Sequence, residues 1–307
     1  MVIYDLLLLW NWEYDSEFVS LIENNCHSMG LKVLQVTPQN IGAVTEDLLE
    51  NRINFRSILD RASEDDVRFV PLVKWAMAND IYFINPHHLA RRSCNKAIMH
   101  YELIHNGIYT PYTVIVPPYE SVPQMPEIDF SLLGNPFIVK PSLGSGGEGV
   151  VMGVTSLDEM TDIRHKHPQR TYLLQTDVKP RYLNDHPAWF RILFCRGAIH
   201  ASWWHPDTHL YRPVHETEIS RYEIAPLFRI TRTIGDICGL DLFSTEIASV
   251  TNDRFIVIDY VNDQPDLRMC PPAGDGVPDF MVHDIAESLA RLVSDHSNHP
   301  PDHVHAY

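Results

Sequence analysis

Cysteine is sparse and unpatterned in this chain of 307 residues. Five thiols (Cys26, Cys94, Cys195, Cys238 and Cys270) lie far apart, none belongs to a C-x-x-C pair, and their number is odd. A disulfide framework is excluded on that pattern, and reduced thiols in a cytoplasmic protein are expected. Basic residues are also in the minority, 24 against 40 acidic, for a net charge of −16. A protein that tracks a nucleic-acid backbone needs a basic stripe to replace counterions, so nucleic acid is excluded as a partner. A few well-placed Lys and Arg still suffice for one triphosphate. No apolar run approaches the roughly 20 residues of a membrane span. The early run Leu6–Trp10 is too short for a signal-peptide core and is flanked by Asp5, Glu13 and Asp15, so no membrane association is expected. There is no internal repeat, and no Ser-His-Asp or Cys-His arrangement that would supply a protein nucleophile.

What is present is an ordinary globular balance, 45% hydrophobic and 21% charged. The length fits roughly two domains at about 100–200 residues each. Residues 2–9 form a compact apolar run suited to a buried strand. Asp15 to Met29 has helical spacing and is stopped by Gly30, and Leu31–Val36 is a second β-rich run. This βαβ order predicts a small parallel-sheet domain over about residues 1–90. Two helical segments, a short strand at Asp80–Ile84 and a helix over Ala90–Asn106 are expected next. Pro111, Pro117, Pro118, Pro123 and Pro126 then mark a connection. From Asn135 the pattern becomes β-rich, with runs at Phe137–Lys140, Gly149–Val154, Tyr172–Gln175, Phe190–Cys195, Ala198–Trp204, Leu242–Val250 and Phe255–Val261. Helices are expected at Ser156–His165, Glu223–Cys238 and Phe280–Val293. The fold class is therefore α/β followed by α+β, the second half built on a mostly antiparallel sheet with flanking helices.

The clearest chemical signal is Lys140-Pro-Ser-Leu-Gly-Ser-Gly-Gly-Glu-Gly-Val150, which lies between two β runs. It lacks the G-K-[ST] of a Walker loop, and no helix follows it directly. A glycine-rich hairpin can still close over phosphates with backbone N–H groups, and Lys140 would aim its ammonium at the same place. By itself the stretch reads equally as a flexible hairpin with a surface lysine. A second signal narrows this. Glu246 and Asp259 lie thirteen residues apart on two strands joined by Thr251-Asn-Asp-Arg254, a natural turn. Both interrupt apolar runs, and a buried charge needs a partner. With the amide of Asn262 they form an oxygen donor set suited to Mg²⁺, completed by triphosphate oxygens.

In the order of these motifs the chain resembles the ATP-grasp superfamily. The residues that carry the resemblance are Asn95-Lys96 ahead of Ile108–Thr113, then Lys140–Val150, Leu173–Val178, Arg191 within Trp189-Phe-Arg-Ile-Leu193, and a closing set of Glu246, Asp259, Asn262 and Pro265. The resemblance runs from about Lys96 to Arg268. It implies an ATP-grasp domain over about residues 91–294, with a small lobe at about 112–178 and a large lobe at about 179–294. It also implies that ATP is bound with one or two Mg²⁺ ions, Mn²⁺ being an alternative. Lys96 and Lys140 would contact its phosphates, Ser145, Gly146 and Gly147 would cover them, and Gln175, Thr176, Asp177 and Val178 would form the hinge that reads adenine. Arg191, assisted by Arg212, would stabilise charge developing in the transferred phosphoryl group. Glu246, Asp259 and Asn262 would hold the metal.

Two departures stand out. The hinge has Thr176-Asp177 where the superfamily commonly has Glu. Asn262 follows Asp259 by three residues where two is usual. Alternating side chains would then turn Asn262 to the opposite face, so a one-residue β-bulge near Tyr260-Val261 is predicted.

Weaker features have plainer readings beside the functional ones. Trp12, Glu13 and Tyr14 follow the first strand, where they would line a substrate pocket or simply pack between domains. Arg268 is placed to bind a substrate carboxylate or to form a structural ion pair. Trp203-Trp-His205 would cap the site or pack. His296, His299, His303 and His305 belong to a segment, residues 295–307, expected to be a disordered tail. Arg91-Arg92 reads as helix surface close to Lys96.

The resemblance implies a ligase that activates a small-molecule or peptide carboxylate as an acyl-phosphate for attack by an amine or thiol acceptor. A homodimer is compatible with it. Two alternatives share the scaffold. A kinase acting on a hydroxyl of an inositol-phosphate-like substrate would want clustered cations in the N-terminal domain, yet residues 1–80 are acid-rich. A non-catalytic nucleotide-binding protein would be expected to have lost a metal ligand or Arg191.

Overall fold

The computed structural model describes residues 1–125, 127–144, 146–269 and 275–298. Ser145, Cys270 and the three histidines at 299, 303 and 305 lie outside the described residues.

The N-terminal layer is built from β1 (Val2–Trp10), α1 (Ser16–Ser28), β2 (Val33–Val36), α2 (Ile41–Leu49), β3 (Ile53–Arg61), α3 (Val70–Ala78) and β4 (Tyr82–Ile84). Its strands form a parallel sheet in the order β2-β1-β3-β4. The run of leucines in β1 is explained by burial on both faces. Leu6 and Leu8 pack toward α1, while Leu7 and Leu9 pack toward α2 and α3. The inner strand β3 was not foreseen, because Arg56, Asp60 and Arg61 break its apolar pattern. One of these charges is locked inside the protein, and another lies at the surface over a buried carboxylate. Arg61 donates two hydrogen bonds of 2.9 Å to the buried carboxylate of Asp15, and Arg56 pairs with Asp5.

Two helices, α4 (His87–Ser93) and α5 (Lys96–His105), replace the single one expected over 90–106. The break comes from Asn95, whose side chain caps α5 by accepting from the backbone N–H groups of Ala97 at 3.0 Å and Ile98 at 3.2 Å.

The C-terminal half holds two larger antiparallel sheets. In the smaller lobe come β5 (Thr113–Val116), α6 (Phe130–Leu133), β6 (Phe137–Pro141), β7 (Val151–Val154), α7 (Leu157–Lys166) and β8 (Tyr172–Thr176), the strands ordered β5-β8-β6-β7. A short hairpin, β9 (Tyr182–Leu183) with β10 (His186–Pro187), leads into the larger lobe. There β11 (Trp189–Cys195), β12 (Ala198–Trp204), β13 (Tyr211–Pro213), α8 (Glu216–Arg221), α9 (Pro226–Cys238), β14 (Leu242–Ser249) and β15 (Phe255–Asn262) form a sheet in the order β13-β12-β11-β14-β15. One face of that sheet, with Phe190, Ile192, Phe243 and Ile247, is covered by α5 and α9.

The last helix, α10 (Asp279–Asn298), packs against α1, β1 and β3, so it covers the N-terminal sheet although it closes the chain. It also corrects the expected tail, because residues 295–298 are helical. His296 stacks on Tyr82 at a ring distance of 3.5 Å.

Candidate active site

The site is assembled on β11, β14 and β15. Arg191 stands opposite Glu246 across β11 and β14, and Glu246 stands opposite Asp259 across β14 and β15. Cross-strand partners share a face, so all three side chains emerge on one side of the sheet. Asn262 joins them. Between the Glu246–Asp259 pair and the Ser244–Asn262 pair, β14 advances two residues and β15 three, which is the expected extra residue at Tyr260-Val261. A further register shift lies on the other side of Asp259, where Ile247 pairs with Val257. Asn262 Oδ1 accepts from the backbone N–H of Gln264 at 3.1 Å, so it also fixes the turn that follows.

The carboxylate of Glu246 is held from both sides. Trp189 Nε1 donates to Oε2 at 3.0 Å, and Arg191 Nη1 donates to Oε1 at 3.3 Å. Burial is the main influence on Glu246 and raises its pKa; Arg191 opposes this and Asp259 adds to it. Burial works against the charge on Arg191, yet Tyr211, Glu246, Asp259 and Asp266 outweigh it and keep its pKa raised. Trp204 lies under the guanidinium at 5.0 Å, a cation–π contact that fixes its plane.

From the small lobe, Lys140 at the end of β6 donates to the carbonyl oxygen of Ile258 at 3.3 Å, beside Asp259. Burial lowers its pKa first, Asp259 and Glu246 oppose this, and Lys96 lowers it further. Lys96 is therefore close enough to be felt. It opens α5 and bridges to the glycine-rich stretch, with Nζ donating to Gly144 O at 2.7 Å and its backbone N–H to Ser142 O at 2.8 Å. Two ammonium groups from different elements thus converge opposite two carboxylates. In the loop, Gly146 (φ 57°) and Gly147 (φ 77°) take left-handed conformations, and a Cβ on either would meet nothing within 4 Å, so that side of the loop is open.

At the hinge the structure separates the four expected residues. The side chain of Gln175 is buried and donates to Thr113 Oγ1 at 3.0 Å and to Tyr260 Oη at 2.8 Å. Thr176 gives its backbone N–H to Tyr112 O at 3.0 Å. The first ties the small sheet to β15 of the larger one, and the second ties β8 to the chain just before β5. Asp177, paired with Lys179, and Val178 lie past the end of β8 and remain the candidates for adenine contact.

Two expected catalytic arginines do not join this cluster. Arg212 pairs with Trp203, not Trp204, so it points to the opposite face from Arg191. There it stacks on Trp203 at 4.9 Å and donates to Glu218 at 2.9 Å. Arg268 sits against Trp12 (5.3 Å) and Tyr14 (5.5 Å), so these aromatics and the arginine do form one cluster. Its guanidinium is already engaged by Asp266 at 2.7 Å and Asp275 at 3.3 Å, which raises its pKa and makes it a structural ion pair.

Other residues near the site carried no sequence signal. Trp189 was visible only as a neighbour of Arg191. Asp60, Glu64 and Asp263 come from segments 200 residues apart and meet only in the fold. Among the described residues no group of three His, Cys, Asp or Glu side chains is placed to hold a metal ion, so those side chains alone do not complete a metal shell. The donors at Glu246, Asp259 and Asn262 are all oxygens, which fits Mg²⁺ with the rest of its shell supplied by a ligand. No helix among the described residues is long and apolar enough to cross a membrane.

The chain has the ATP-grasp fold. It resembles the RimK-domain ATP-grasp protein of Sphaerobacter thermophilus with a TM-score of 0.62 and 17% identity, over 93% of this chain and 98% of that one. It resembles the D-alanine–D-alanine ligase of Bacillus anthracis, complexed with ATP, with a TM-score of 0.61 and 13% identity, over 97% of this chain and 98% of that one. For the ATP-grasp ligase PsnB, complexed with a minimal precursor, Mg and ADP, the TM-score is 0.58 and the identity 10%, over 97% of this chain and 100% of that one. At such identities the likeness establishes the fold, and the reaction has to be argued from the site. No protein-family model and no curated protein matches the sequence.

Proposed function

We propose that the protein is an ATP-dependent ligase that activates a carboxylate as an acyl-phosphate and joins it to an amine or thiol, releasing ADP and phosphate. One observation carries this reading: Arg191, Glu246 and Asp259 emerge on one face of the large sheet, and Lys140 of the small lobe reaches the same place. Solved ligases with this fold support it.

In this reading Lys96 and Lys140 hold the triphosphate, and Ser145, Gly146 and Gly147 close over it. Asp177 and Val178 meet the adenine. Glu246, Asp259 and Asn262 would hold Mg²⁺, which when bound offsets the charge of the phosphate oxygens. A substrate carboxylate oxygen attacks the γ-phosphorus, and the bond to the ADP oxygen breaks. Arg191 faces the charge that develops on the transferred group. The acceptor's lone pair then forms a bond to the acyl carbon, phosphate leaves with the C–O bonding electrons, and the acceptor's proton is released. Positioning and charge neutralisation account for the catalysis, so no protein nucleophile is required. Donor and acceptor are small molecules or peptide ends.

The test is the purified protein with Mg·ATP and a library of carboxylates, amines and thiols, followed by ADP, phosphate and product mass. ADP with phosphate and a new amide or thioester supports the ligase. A phosphorylated alcohol with no condensed product, or AMP in place of ADP, would sink it.

A further inference from the structure

Where β15 leaves the large sheet, a side chain from the N-terminal layer takes its place. Asn85 follows β4 directly. Its Oδ1 accepts from the backbone N–H of Leu242 at 2.9 Å, and its Nδ2 donates to the carbonyl oxygens of Leu242 at 2.7 Å and Asp263 at 3.1 Å. We propose that Asn85 is a positioning residue: it fixes the turn that begins at Asn262 and so sets the affinity of Glu246, Asp259 and Asn262 for a divalent cation. The inference rests on the metal reading given above for those three residues and extends it to a layer that supplies none of them.

The need for such a residue follows from the ladder. On the β11 side it is Asp241 that is bonded, its carbonyl oxygen accepting from the Arg196 N–H at 2.8 Å. The N–H and C=O of the next residue, Leu242, therefore face the β15 side, as do those of Ser244. Ser244 is met there by Asn262, the last residue of β15. The partner of Leu242 would be Gln264, but the chain has already turned, with Asn262 Oδ1 accepting from the Gln264 N–H at 3.1 Å. Leu242 is buried, so its two backbone groups cannot turn to water. A primary amide has an acceptor and two donor protons. Asn85 gives Leu242 the pair of bonds that a strand residue would make, and its second proton goes to the residue next to Asn262.

The same turn is held at two further points. The Cys94 thiol donates to the Asp263 carboxylate at 3.0 Å, and Arg61 Nη2, already bound to Asp15, donates to the Pro265 carbonyl oxygen at 3.2 Å. Residues 262–265 are thus clamped from outside the sheet that carries the acidic pair. A ligand on a free turn would have to be ordered by the cation itself, at a cost in affinity. With the turn held, that loss of freedom occurs on folding and not on metal binding. Asn85 is the clamp that touches both β14, the strand of Glu246, and the residue after Asn262, so it sets the placement of one ligand against the other.

Asn85 is uncharged, and both ends of its amide are engaged by backbone, so an effect through geometry can be separated from one through charge. Asn85→Ala removes all three bonds and adds no charge. Asn85→Asp keeps the acceptor for Leu242 but sets a carboxylate against the carbonyl oxygens of Leu242 and Asp263. That repulsion displaces the turn, whereas the added negative charge by itself would draw a cation in. Asn85→Gln keeps the amide and moves it by one methylene.

The test uses the full chain, the non-hydrolysable nucleotide AMPPNP and Mn²⁺, with free Mn²⁺ read by its EPR signal well below the melting midpoint of each variant. Asn85→Ala is expected to raise the Mn²⁺ dissociation constant about tenfold, Asn85→Asp by more and Asn85→Gln by less. AMPPNP binding in EDTA, read by calorimetry, should stay as in the wild type, because the lysines and the glycine-rich stretch are untouched. The melting midpoint of Asn85→Ala should fall by a few degrees as Leu242 loses its partner. Mn²⁺ affinity unchanged in every variant that folds, or tighter Mn²⁺ binding in Asn85→Asp, would overturn the proposal. So would a loss of AMPPNP binding in EDTA as large as the loss of Mn²⁺. Asp259→Asn tells the two failures apart. If it abolishes Mn²⁺ binding while the Asn85 variants bind like the wild type, the positioning role alone falls. If it binds Mn²⁺ as before, the metal reading falls and takes the role of Asn85 with it.

Discussion

Asp259 faces Glu246 directly across the β14–β15 ladder, and the extra residue that follows turns Asn262 onto the same face. Cross-strand carboxylates repel one another, and this pair has Arg191 on one side and Lys140 above it to offset that. Asp259→Asn keeps the size and removes the charge. ATP turnover is expected to fall by about 100-fold or more, with the thermal midpoint unchanged or slightly raised by relief of repulsion. A coupled ADP assay beside a melting curve checks this, and retained turnover would reject the metal assignment.

Lys140 makes the complementary case. Its ammonium is buried near a second lysine, Lys96, so it is held in an unfavourable place that an anionic ligand would relieve. Lys140→Met should raise the dissociation constant of ATP about 10–100-fold, read by calorimetry with Mg²⁺ present. If ATP binds as before, the lysine belongs to the interlobe contact with Ile258 and not to the nucleotide.

Much of this site could be read along the chain because its parts are local. The glycine-rich stretch, the two acidic strands and the bulge before Asn262 each depend on a few neighbouring residues and on strand alternation. The residues misread were those whose role depends on which face of a sheet they reach. Arg212 lies one residue after Tyr211, the partner of Trp204, and that single step places it on the far side beside Glu218. Strand β3 escaped notice for a related reason: its charges looked like those of a surface segment, yet Arg61 and Asp15 neutralise each other inside the core. Glu64 and Gln264 lie 200 residues apart, and no local pattern announces a meeting across that distance.

Gly149 and Gly147 give a graded test of the lid. Both have φ above +70°, which costs a residue with a Cβ about 1–2 kcal/mol. A Cβ on Gly147 would meet open space, whereas one on Gly149 would lie 3.1 Å from Arg170 Nη1 and 3.4 Å from Pro141 Cγ. Gly147→Ala should raise the KM for ATP by about 5–30-fold through backbone strain alone. Gly149→Ala should raise it further, because Arg170 must also move away from Glu148, which it meets at 3.5 Å. Equal effects would take Arg170 out of the account.

Behind Asp259, the buried hydroxyl of Tyr260 joins strands of both lobes. It accepts from Gln175 Nε2 at 2.8 Å and lies 2.9 Å from His100 Nδ1, which is also 3.3 Å from Thr110 Oγ1. Tyr260→Phe leaves these groups without their partner and should cost about 1–3 kcal/mol of stability. The same network carries a pH dependence. Burial lowers the pKa of His100 from the ordinary 6.5, so the folded chain resists a proton that the unfolded chain accepts. Its contribution is fully present above pH 6.5 and is lost as pH falls through the depressed folded value. His100→Asn should flatten the fall in thermal midpoint as pH drops below 6.5. It should not abolish that fall, because burial depresses His200 in the same direction. Parallel pH profiles for wild type and variant would show that the imidazole titrates alike in both states, and the link between Tyr260 and the hinge strand would then have to be sought in Gln175 alone.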